Sequence, residues 1–482
     1  MQAALLQALP TKNGYSSCST SWADPSYHVR LHHEKRRIVP LLAHSPISAR
    51  GQGRFLVSCS STAISSRVRF LVSCSSTAIS SRVEDVVIVG GGIAGIATAL
   101  ALHRLGIKSR VLEQSPTLRV TGAALGIWTN GWRALEALGV ADDLREKFVQ
   151  ILGFQFYSTD DKCLADFKFS SSNKHVELRG VDRRVLLETL TNALPTGTIL
   201  YDSHVINVQR NKGSYSRVEL KGGSTLQAKV IVGCDGIGSV VAKELGHKEA
   251  HYAGYIGIRG VATFSEQHTF PRAVKQVLGR GVRMGCLPQD SNRVYWFIVF
   301  NSPSDKKIVD PDLVKEEALR LVRGWPEAAV DVVRKSPVET LSRAAIADRW
   351  MWPWSLSKLH ESGVTIAGDA MHPVTPNLAQ GGCTALEDGV VLARVVSKLF
   401  KETEGQNLSM DEEMKRIELA LDGYTKQRQQ RLFGVAVQAN LIGKVMQADS
   451  ELFCSMRDAL LPRVLSVDAF VEHTLYDVGA LA

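Results

Sequence analysis

The sequence predicts an α/β fold in which a parallel sheet packed with helices is interleaved with a mainly antiparallel sheet and followed by a helical C-terminal region. Three observations predict it. The β-branched runs 86–89 and 230–232 each lead into a glycine-rich turn, as strands buried on both faces do. Segments such as 154–157 and 295–300 alternate apolar and polar residues, as strands with one covered face do. Apolar residues after position 384 recur with helical spacing.

The N-terminal segment, residues 1–83, carries most of the positive charge of the chain. It holds ten basic and two acidic residues, so a net charge of +8 out of the total of +9 lies there and the remainder is nearly neutral. A nucleic-acid-binding surface needs clustered basic residues without compensating acids. The charge distribution therefore argues against a nucleic-acid partner.

The composition of residues 1–83 predicts a disordered transit peptide. The segment has seventeen serines, few acids and no sustained apolar periodicity, so it cannot bury enough surface to fold. It also contains a perfect tandem repeat of 15 residues, 54–68 and 69–83, too short for a solenoid. Ser-rich, Arg-containing and acid-poor segments are typical of organelle targeting, and the dominance of serine favours the chloroplast over the mitochondrion. A disordered tail without a targeting role is the alternative.

Cysteine spacing and hydropathy exclude two further classes of protein. The eight cysteines form no CxxC pair, which excludes a zinc ribbon or a dithiol redox centre, and no metal site is predicted. The longest uncharged stretch, 86–102, is too short to span a membrane and contains three consecutive glycines. The sequence therefore predicts no integral membrane span.

The first glycine-rich turn has the pattern of a Rossmann-like dinucleotide-binding unit. The strand at 86–89 leads into residues 90–95 (GGGIAG), then into an Ala- and Leu-rich helix and a second strand that ends in Glu113. Gly90 permits the tight turn, Gly92 lets a pyrophosphate approach the backbone, and Gly95 lets helix and strand pack closely. The helix N-terminus attracts phosphate, and Glu113 is placed to accept hydrogen bonds from a ribose.

Two later motifs indicate that the nucleotide is a flavin. The strand at 229–232 leads into Gly233-Cys234-Asp235-Gly236, and the run 364–367 leads into Gly368-Asp369 and, further on, Gly381-Gly382. A carboxylate at the end of a strand, as Asp369 is, can hydrogen-bond a sugar-alcohol hydroxyl. A glycine pair that opens a helix can bring backbone N–H groups and the positive helix end to a flavin ring edge.

With these three motifs in this order, the chain resembles the class A, single-component FAD monooxygenases, and it is most similar to their plant salicylate-hydroxylase-like branch. The resemblance covers about residues 84–400. It implies an FAD-binding domain of residues 84–150, 179–250 and 341–400, interleaved with a substrate-binding sheet domain of 151–178 and 251–340. Residues 401–482 are expected to form a C-terminal helical region that caps the FAD domain or forms a homodimer face.

The resemblance also assigns roles to individual residues. It implies cofactor contacts by Gly90, Gly92, Ile93, Ala94, Gly95, Glu113, Gln114, Ala124, Arg179, Val205, Asp235, Asp369, Pro373, Gly381 and Gly382. The substrate-site liners on the antiparallel sheet are predicted to be Tyr255, Arg259, Arg283 and Tyr295, of which Tyr255, Arg283 and Tyr295 are the candidate catalytic residues. The neighbouring Trp296 and Phe297 are predicted to be core residues.

The implied activity is that of a monooxygenase with bound FAD and NAD(P)H as a transient co-substrate. Such an enzyme inserts one atom of O2 into an aromatic or polyene small molecule through a flavin hydroperoxide. No second strand–GxGxxG–helix unit follows in the sequence, which fits transient binding of the nicotinamide. An FAD-dependent reductase of isoprenoid double bonds, a halogenase and a non-enzymatic prenyl-binding protein are the alternatives. The intact Gly368-Asp369 and Gly381-Gly382 favour an enzyme.

Overall fold

The computed structural model describes residues 83–118, 124–172, 174–350, 358–464 and 466–481. Residues 1–82, with the predicted transit peptide and all but the last residue of the tandem repeat, lie outside the described residues. The predicted fold class is confirmed, since a largely parallel sheet and a largely antiparallel sheet are connected by helices.

Strands and helices follow one another along the whole described chain. In chain order the strands are β1 (Val83–Val89), β2 (Ser109–Leu112), β3 (Ala124–Trp128), β4 (Gly153–Ser158), β5 (Cys163–Lys168), β6 (Leu178–Asp182), β7 (Ile199–Leu200), β8 (Val205–Gln209), β9 (Ser216–Leu220), β10 (Thr225–Gly233), β11 (His251–Thr263), β12 (Val274–Leu278), β13 (Val282–Pro288), β14 (Arg293–Asn301), β15 (Ser342–Asp348), β16 (His360–Glu361) and β17 (Val364–Ile366). The helices are α1 (Ile93–Arg104), α2 (Thr129–Ala137), α3 (Ala141–Arg145), α4 (Arg183–Asn192), α5 (Val240–Glu244), α6 (Pro311–Leu321), α7 (Glu327–Arg334), α8 (Gly381–Thr403), α9 (Met410–Met446), α10 (Glu451–Val464) and α11 (Val467–Val471).

The first sheet has a parallel centre of the dinucleotide-binding type. Its strands lie in the order β17-β10-β1-β2-β7, all parallel, while β9 and β16 add antiparallel neighbours. Val86, Val87 and Ile88 of the central strand β1 are fully buried, as helices on both faces of a parallel sheet require. Helix α1 packs against α8 on one of these faces.

The second sheet has seven strands in the order β15-β11-β14-β13-β12-β4-β5. Its pairs are antiparallel except for β12 with β4, which is parallel. One face of this sheet packs on helices α6 and α7 around Trp296 and Ile298. The other face is left to form a cavity with the first sheet.

The strand β15 shows that one predicted boundary was wrong. Residues 341–400 were assigned to the FAD-binding domain, but Ser342–Asp348 pairs with β11 as an edge strand of the antiparallel sheet. The chain returns to the parallel sheet only at Val364. The error arises because this strand pairs with a partner about ninety residues earlier in the chain, which no local pattern reveals.

The C-terminal region is helical, as predicted, and its longest helix is α9 with 37 residues. The buried side chains of α9 include Leu421, Tyr424 and Arg428, and the helix packs on α8. Among the described residues, no helix combines the length and the apolar character that a membrane span requires.

Candidate active site

The three predicted motifs meet at one edge of the parallel sheet. They follow β1, β10 and β17, which are adjacent and parallel, so their carboxyl ends lie side by side. This edge is where α/β sheets bind nucleotides. At Gly90 the backbone has a φ of +102°, and a Cβ there would lie 2.5 Å from the Cys234 carbonyl oxygen. The first motif therefore needs glycine both for its conformation and for its contact with the second motif.

A cavity of about 470 Å³ lies between these motifs and the free face of the antiparallel sheet. The motif side contributes backbone from Gly92 to Ala94 and the start of helix α8. The sheet side contributes residues of β11 to β14. A third wall is aromatic and consists of Trp128, Phe154, Phe156 and Phe470.

The cavity brings together about half of the residues predicted from the sequence. Those that line it are Gly92, Ile93, Ala94, Ala124, Arg259, Arg283, Tyr295, Asp369, Gly381 and Gly382. Those that lie outside its lining are Gly90, Gly95, Glu113, Gln114, Arg179, Val205, Asp235, Tyr255 and Pro373. Val205 is buried in the core on β8, and the exposed Gln114 follows Glu113 at the end of β2. The predicted roles of the residues outside the lining stay predictions.

Glu113 and Asp235 both accept hydrogen bonds from the backbone of the site. Glu113 accepts from the Gly91 N–H at 2.8 Å through Oε2 and from the Ser115 N–H at 2.9 Å through Oε1. Asp235 accepts from the Ser239 hydroxyl at 2.5 Å and from the Val240 N–H at 2.7 Å, while burial raises the pKa of its carboxyl. Both carboxylates therefore fix the turns that surround the cavity.

Arg179 does not face the cavity, and its neighbour Arg183 does. The guanidinium of Arg179 donates to Glu177 at 2.9 Å and to the Phe148 carbonyl at 2.6 Å, and it lies over the Trp132 ring. Arg183, the first residue of α4, lines the cavity. The predicted contact of Arg179 with the cofactor stays a prediction, and Arg183 is a further candidate that sequence reasoning did not select.

Asp369 points into the cavity from the turn after β17. Its side chain is exposed to that space although protein surrounds the site. Burial within the protein raises the pKa of Asp369, and the nearby His372 and Arg183 oppose this rise. None of the described residues hydrogen-bonds its carboxylate, which leaves it available to a ligand.

Residues 295, 297 and 299 of β14, which share one face of the antiparallel sheet, line the cavity. Tyr295 and Phe297 on β14 both line it, whereas Trp296 between them is fully buried and donates to the Ser336 hydroxyl at 2.6 Å. The prediction that Phe297 is a core residue was therefore wrong, because adjacent residues of a strand face opposite sides. Tyr255 lies on the same side of β11 as Arg259 but four residues earlier, where burial raises its pKa.

A buried ionic network, which sequence reasoning missed, lies directly behind the flavin motif. Arg428 of α9 donates to Asp388 at 2.6 Å and to Glu387 at 2.7 Å, and all three side chains are inaccessible to solvent. Asp388 also accepts from the Gly368 N–H at 2.7 Å and contacts His372 Nε2 at 2.5 Å. Burial alone would raise the pKa of Asp388, but His372 and Arg428 lower it below its ordinary value. Two acids within the apolar helix α8 were the available sequence signal.

The site has the shape and the groups that FAD requires. A Cβ at Gly92 or at Gly381 would meet no atom within 4 Å, so the backbone is open at both glycines. The first lies at the start of α1, where N–H groups favour phosphate, and the second at the start of α8. The backbone at Gly382 is more enclosed, because a Cβ added there would lie 3.4 Å from the Leu125 side chain.

Comparison with known proteins agrees with this geometry. The family described as FAD binding domain matches residues 84–421. Monooxygenase 2 of Arabidopsis thaliana is 36% identical over 400 residues, which are 82% of this chain and 98% of that protein. The chain belongs to this family of FAD-dependent monooxygenases. A chloroplastic zeaxanthin epoxidase of an Oncidium hybrid cultivar is a more distant relative, 28% identical over 74% of this chain and 55% of that protein.

A solved structure with bound FAD shows the same architecture. HpxO of Klebsiella pneumoniae, complexed with FAD and uric acid, has a TM-score of 0.69 at 22% identity, covering 81% of this chain and 96% of that chain. The likeness confirms the fold of this FAD-dependent monooxygenase family member.

Proposed function

We propose that the chain is an NAD(P)H-dependent FAD monooxygenase that inserts one atom of O2 into an aromatic or polyene small molecule. The observation that carries the proposal is the cavity of about 470 Å³ between the flavin motifs and the antiparallel sheet. The start of helix α8, where the resemblance expects the flavin ring, and the sheet that is expected to hold the substrate both line this cavity.

The residues of the chain supply binding, orientation and exclusion of water. When bound, FAD supplies the redox chemistry, taking electrons from NAD(P)H and passing them to O2. The wall of Trp128, Phe154, Phe156 and Phe470 gives one side of the reaction space an apolar surface, which helps to exclude water. The start of α8 presents its positive end to the cavity and stabilises negative charge there.

The proposed activity couples three measurable events at one site. We expect the purified protein to be yellow, to oxidise NADH or NADPH, to consume O2, and to place one labelled atom from isotopically labelled dioxygen into the product. Aromatic and polyene compounds are the candidate substrates for this assay. Product formed at full rate without oxygen would instead identify a reductase, and a colourless protein would identify a binder without redox chemistry.

We also propose that residues 1–83 direct the chain to the chloroplast, with the mitochondrion as the alternative. The Ser-rich, acid-poor composition supports this, as does a relative named as a chloroplastic enzyme. A fusion of residues 1–83 to a fluorescent protein is expected to enter plastids of plant cells. The matched control is the same reporter fused to residues 84–482. Cytosolic fluorescence of the first fusion would contradict the proposal.

A further inference from the structure

The first turn of helix α8 faces the cavity without a cap from the residue before it. Gly381 and Gly382 open the helix, and both line the cavity. The side chain of the preceding residue commonly accepts hydrogen bonds from the first turn of a helix. Gln380 occupies this position and makes no such bond, although its carbonyl accepts from the Thr384 N–H at 2.8 Å. The positive end of α8 is therefore left open to the cavity.

The side chain of Gln380 is held instead by a second buried amide, that of Asn130 on α2. Both side chains are buried, and Asn130 is inaccessible to solvent. Asn130 Nδ2 donates to Gln380 Oε1 at 2.7 Å, and Gln380 Nε2 donates to Asn130 Oδ1 at 3.4 Å. The cavity lining includes the neighbours Ala379 and Gly381 but not Gln380. The two amides therefore pair with each other behind the cavity wall.

A buried carboxylate fixes the position of this amide pair. Asn130 Nδ2 also donates to Glu387 Oε1 at 2.6 Å, and Glu387 is inaccessible to solvent. Two arginines of α9 hold the same carboxylate, Arg428 at 2.7 Å and Arg431 at 3.1 Å. Hydrogen bonds to an ionised acceptor are stronger than those between neutral groups. The ion pairs of α9 therefore determine where Asn130 lies, and Asn130 determines where the side chain of Gln380 lies.

The turn before α8 has a backbone conformation that needs such a restraint. Ala379 lies in the left-handed region, with a φ of +51° and a ψ of +38°. A residue with a Cβ keeps this conformation only where its surroundings enforce it. The strand β3 packs closely on this turn, since a Cβ added at Gly126 would lie 3.2 Å from the Ala379 Cβ. The amide pair holds the next residue, Gln380, and so restrains the turn from its other side.

We infer that Asn130 is a positioning residue for the bound flavin: through Gln380 it fixes the first turn of α8 and thereby raises the reduction potential of FAD. The inference rests on the proposed function, in which the flavin ring lies at this helix start. The positive end of a helix stabilises negative charge, and the effect falls off within the first turn. A displaced turn therefore weakens the binding of the reduced ring, which gains negative charge, more than the binding of the oxidised ring.

The test measures the midpoint potential of the FAD-loaded protein for the wild type and for Asn130→Leu. Leucine has a volume similar to that of asparagine, but it cannot form the hydrogen bonds to Gln380 and Glu387. We expect the affinity for reduced FAD to fall roughly tenfold more than the affinity for oxidised FAD, which lowers the potential of a two-electron couple by about 30 mV. An anaerobic spectroscopic titration with a reference dye measures this shift and requires neither substrate nor oxygen.

A second variant and a control assign the shift to the amide pair. Gln380→Met breaks the pair but leaves the bond between Asn130 and Glu387, so it is expected to lower the potential even if Asn130→Leu does not fold. In the double variant the second substitution is expected to add little, because both remove the same pair. The matched control is Ser336→Ala, which removes a buried hydrogen bond to Trp296 on the other face of the antiparallel sheet. It is expected to lower the unfolding midpoint and to leave the potential unchanged.

Three outcomes would overturn the inference. An unchanged potential with a lowered unfolding midpoint in Asn130→Leu would make Asn130 a structural residue only. A shift of the same size in Ser336→Ala would show that the potential responds to any loss of stability, and additive shifts in the double variant would show that Asn130 does not act through Gln380. A wild-type protein that retains no FAD would contradict the proposed function instead, and its colourless spectrum shows this before any titration.

Discussion

Replacing Arg428 with methionine is expected to lower the free energy of unfolding by about 3–5 kcal/mol. The substitution removes one partner of a network in which Arg428, Glu387 and Asp388 are all inaccessible to solvent. Among the described residues, Asp388 then keeps His372 and the Gly368 N–H as partners and loses the charge of Arg428. A loss of this size is a large fraction of the roughly 5–15 kcal/mol that stabilises an ordinary domain.

Denaturant unfolding of the purified variants measures this effect. The matched control is Arg334→Met on α7, because Arg334 forms ion pairs with Glu327 and Asp331 at an exposed position. Its loss is expected to cost less than about 1 kcal/mol. Arg428→Lys keeps the charge, and its loss in free energy of unfolding is expected to lie between those of Arg428→Met and Arg334→Met. Equal unfolding midpoints for Arg428→Met and Arg334→Met would show that the network does not stabilise the fold.

The same network couples the C-terminal helix to the cofactor site. Asp388 holds the turn that carries Asp369, and Arg428 holds Asp388 from α9. We therefore expect Arg428→Met to retain less FAD even in the fraction that folds. Through this network, the C-terminal helix α9 fixes the position of a turn that lines the cavity.

Local patterns were sufficient for the parallel part of the fold. A buried strand, a glycine turn and a helix are consecutive in sequence, so the units at β1 and α1 could be recognised without tertiary information. The strand β15 could not be recognised in this way, because its pairing with β11 joins residues far apart in the chain. Its sequence, SRAAIAD, has little apolar alternation because an edge strand covers only part of one face.

The candidate site was predictable where it depends on backbone and unpredictable where it depends on side-chain direction. The glycines of the motifs are required by close approaches such as that of Gly90 to Cys234, and the sequence records such requirements directly. The place of Arg183 at the cavity depends on how the start of α4 packs, and the position of Phe297 depends on which face of β14 meets the cavity. Such side-chain directions depend on tertiary packing, about which a sequence motif carries no information.

Asp369→Asn is expected to weaken FAD retention roughly ten- to hundredfold, which corresponds to about 1.5–3 kcal/mol for a hydrogen bond to a charged partner. The Asp369 carboxylate faces the cavity and has no hydrogen-bond partner among the described residues. It is therefore free to accept from a hydroxyl of the ribityl chain. Equilibrium dialysis followed by the flavin absorbance of the retained fraction measures the change.

The apo form of the same variant is expected to change in the opposite direction. Because the folded-state pKa of Asp369 is raised, the ionised carboxylate opposes folding at pH values above its ordinary pKa. Removing that charge should raise the unfolding midpoint of the FAD-free protein at neutral pH, and the gain should disappear in acid, where the wild-type carboxyl is protonated. A matched control is Asp305→Asn, at an exposed site where neither FAD retention nor the apo midpoint should change appreciably. If Asp369→Asn instead destabilised the apo protein and retained FAD as wild type does, Asp369 would be a structural residue, and its assignment to the cofactor would be wrong.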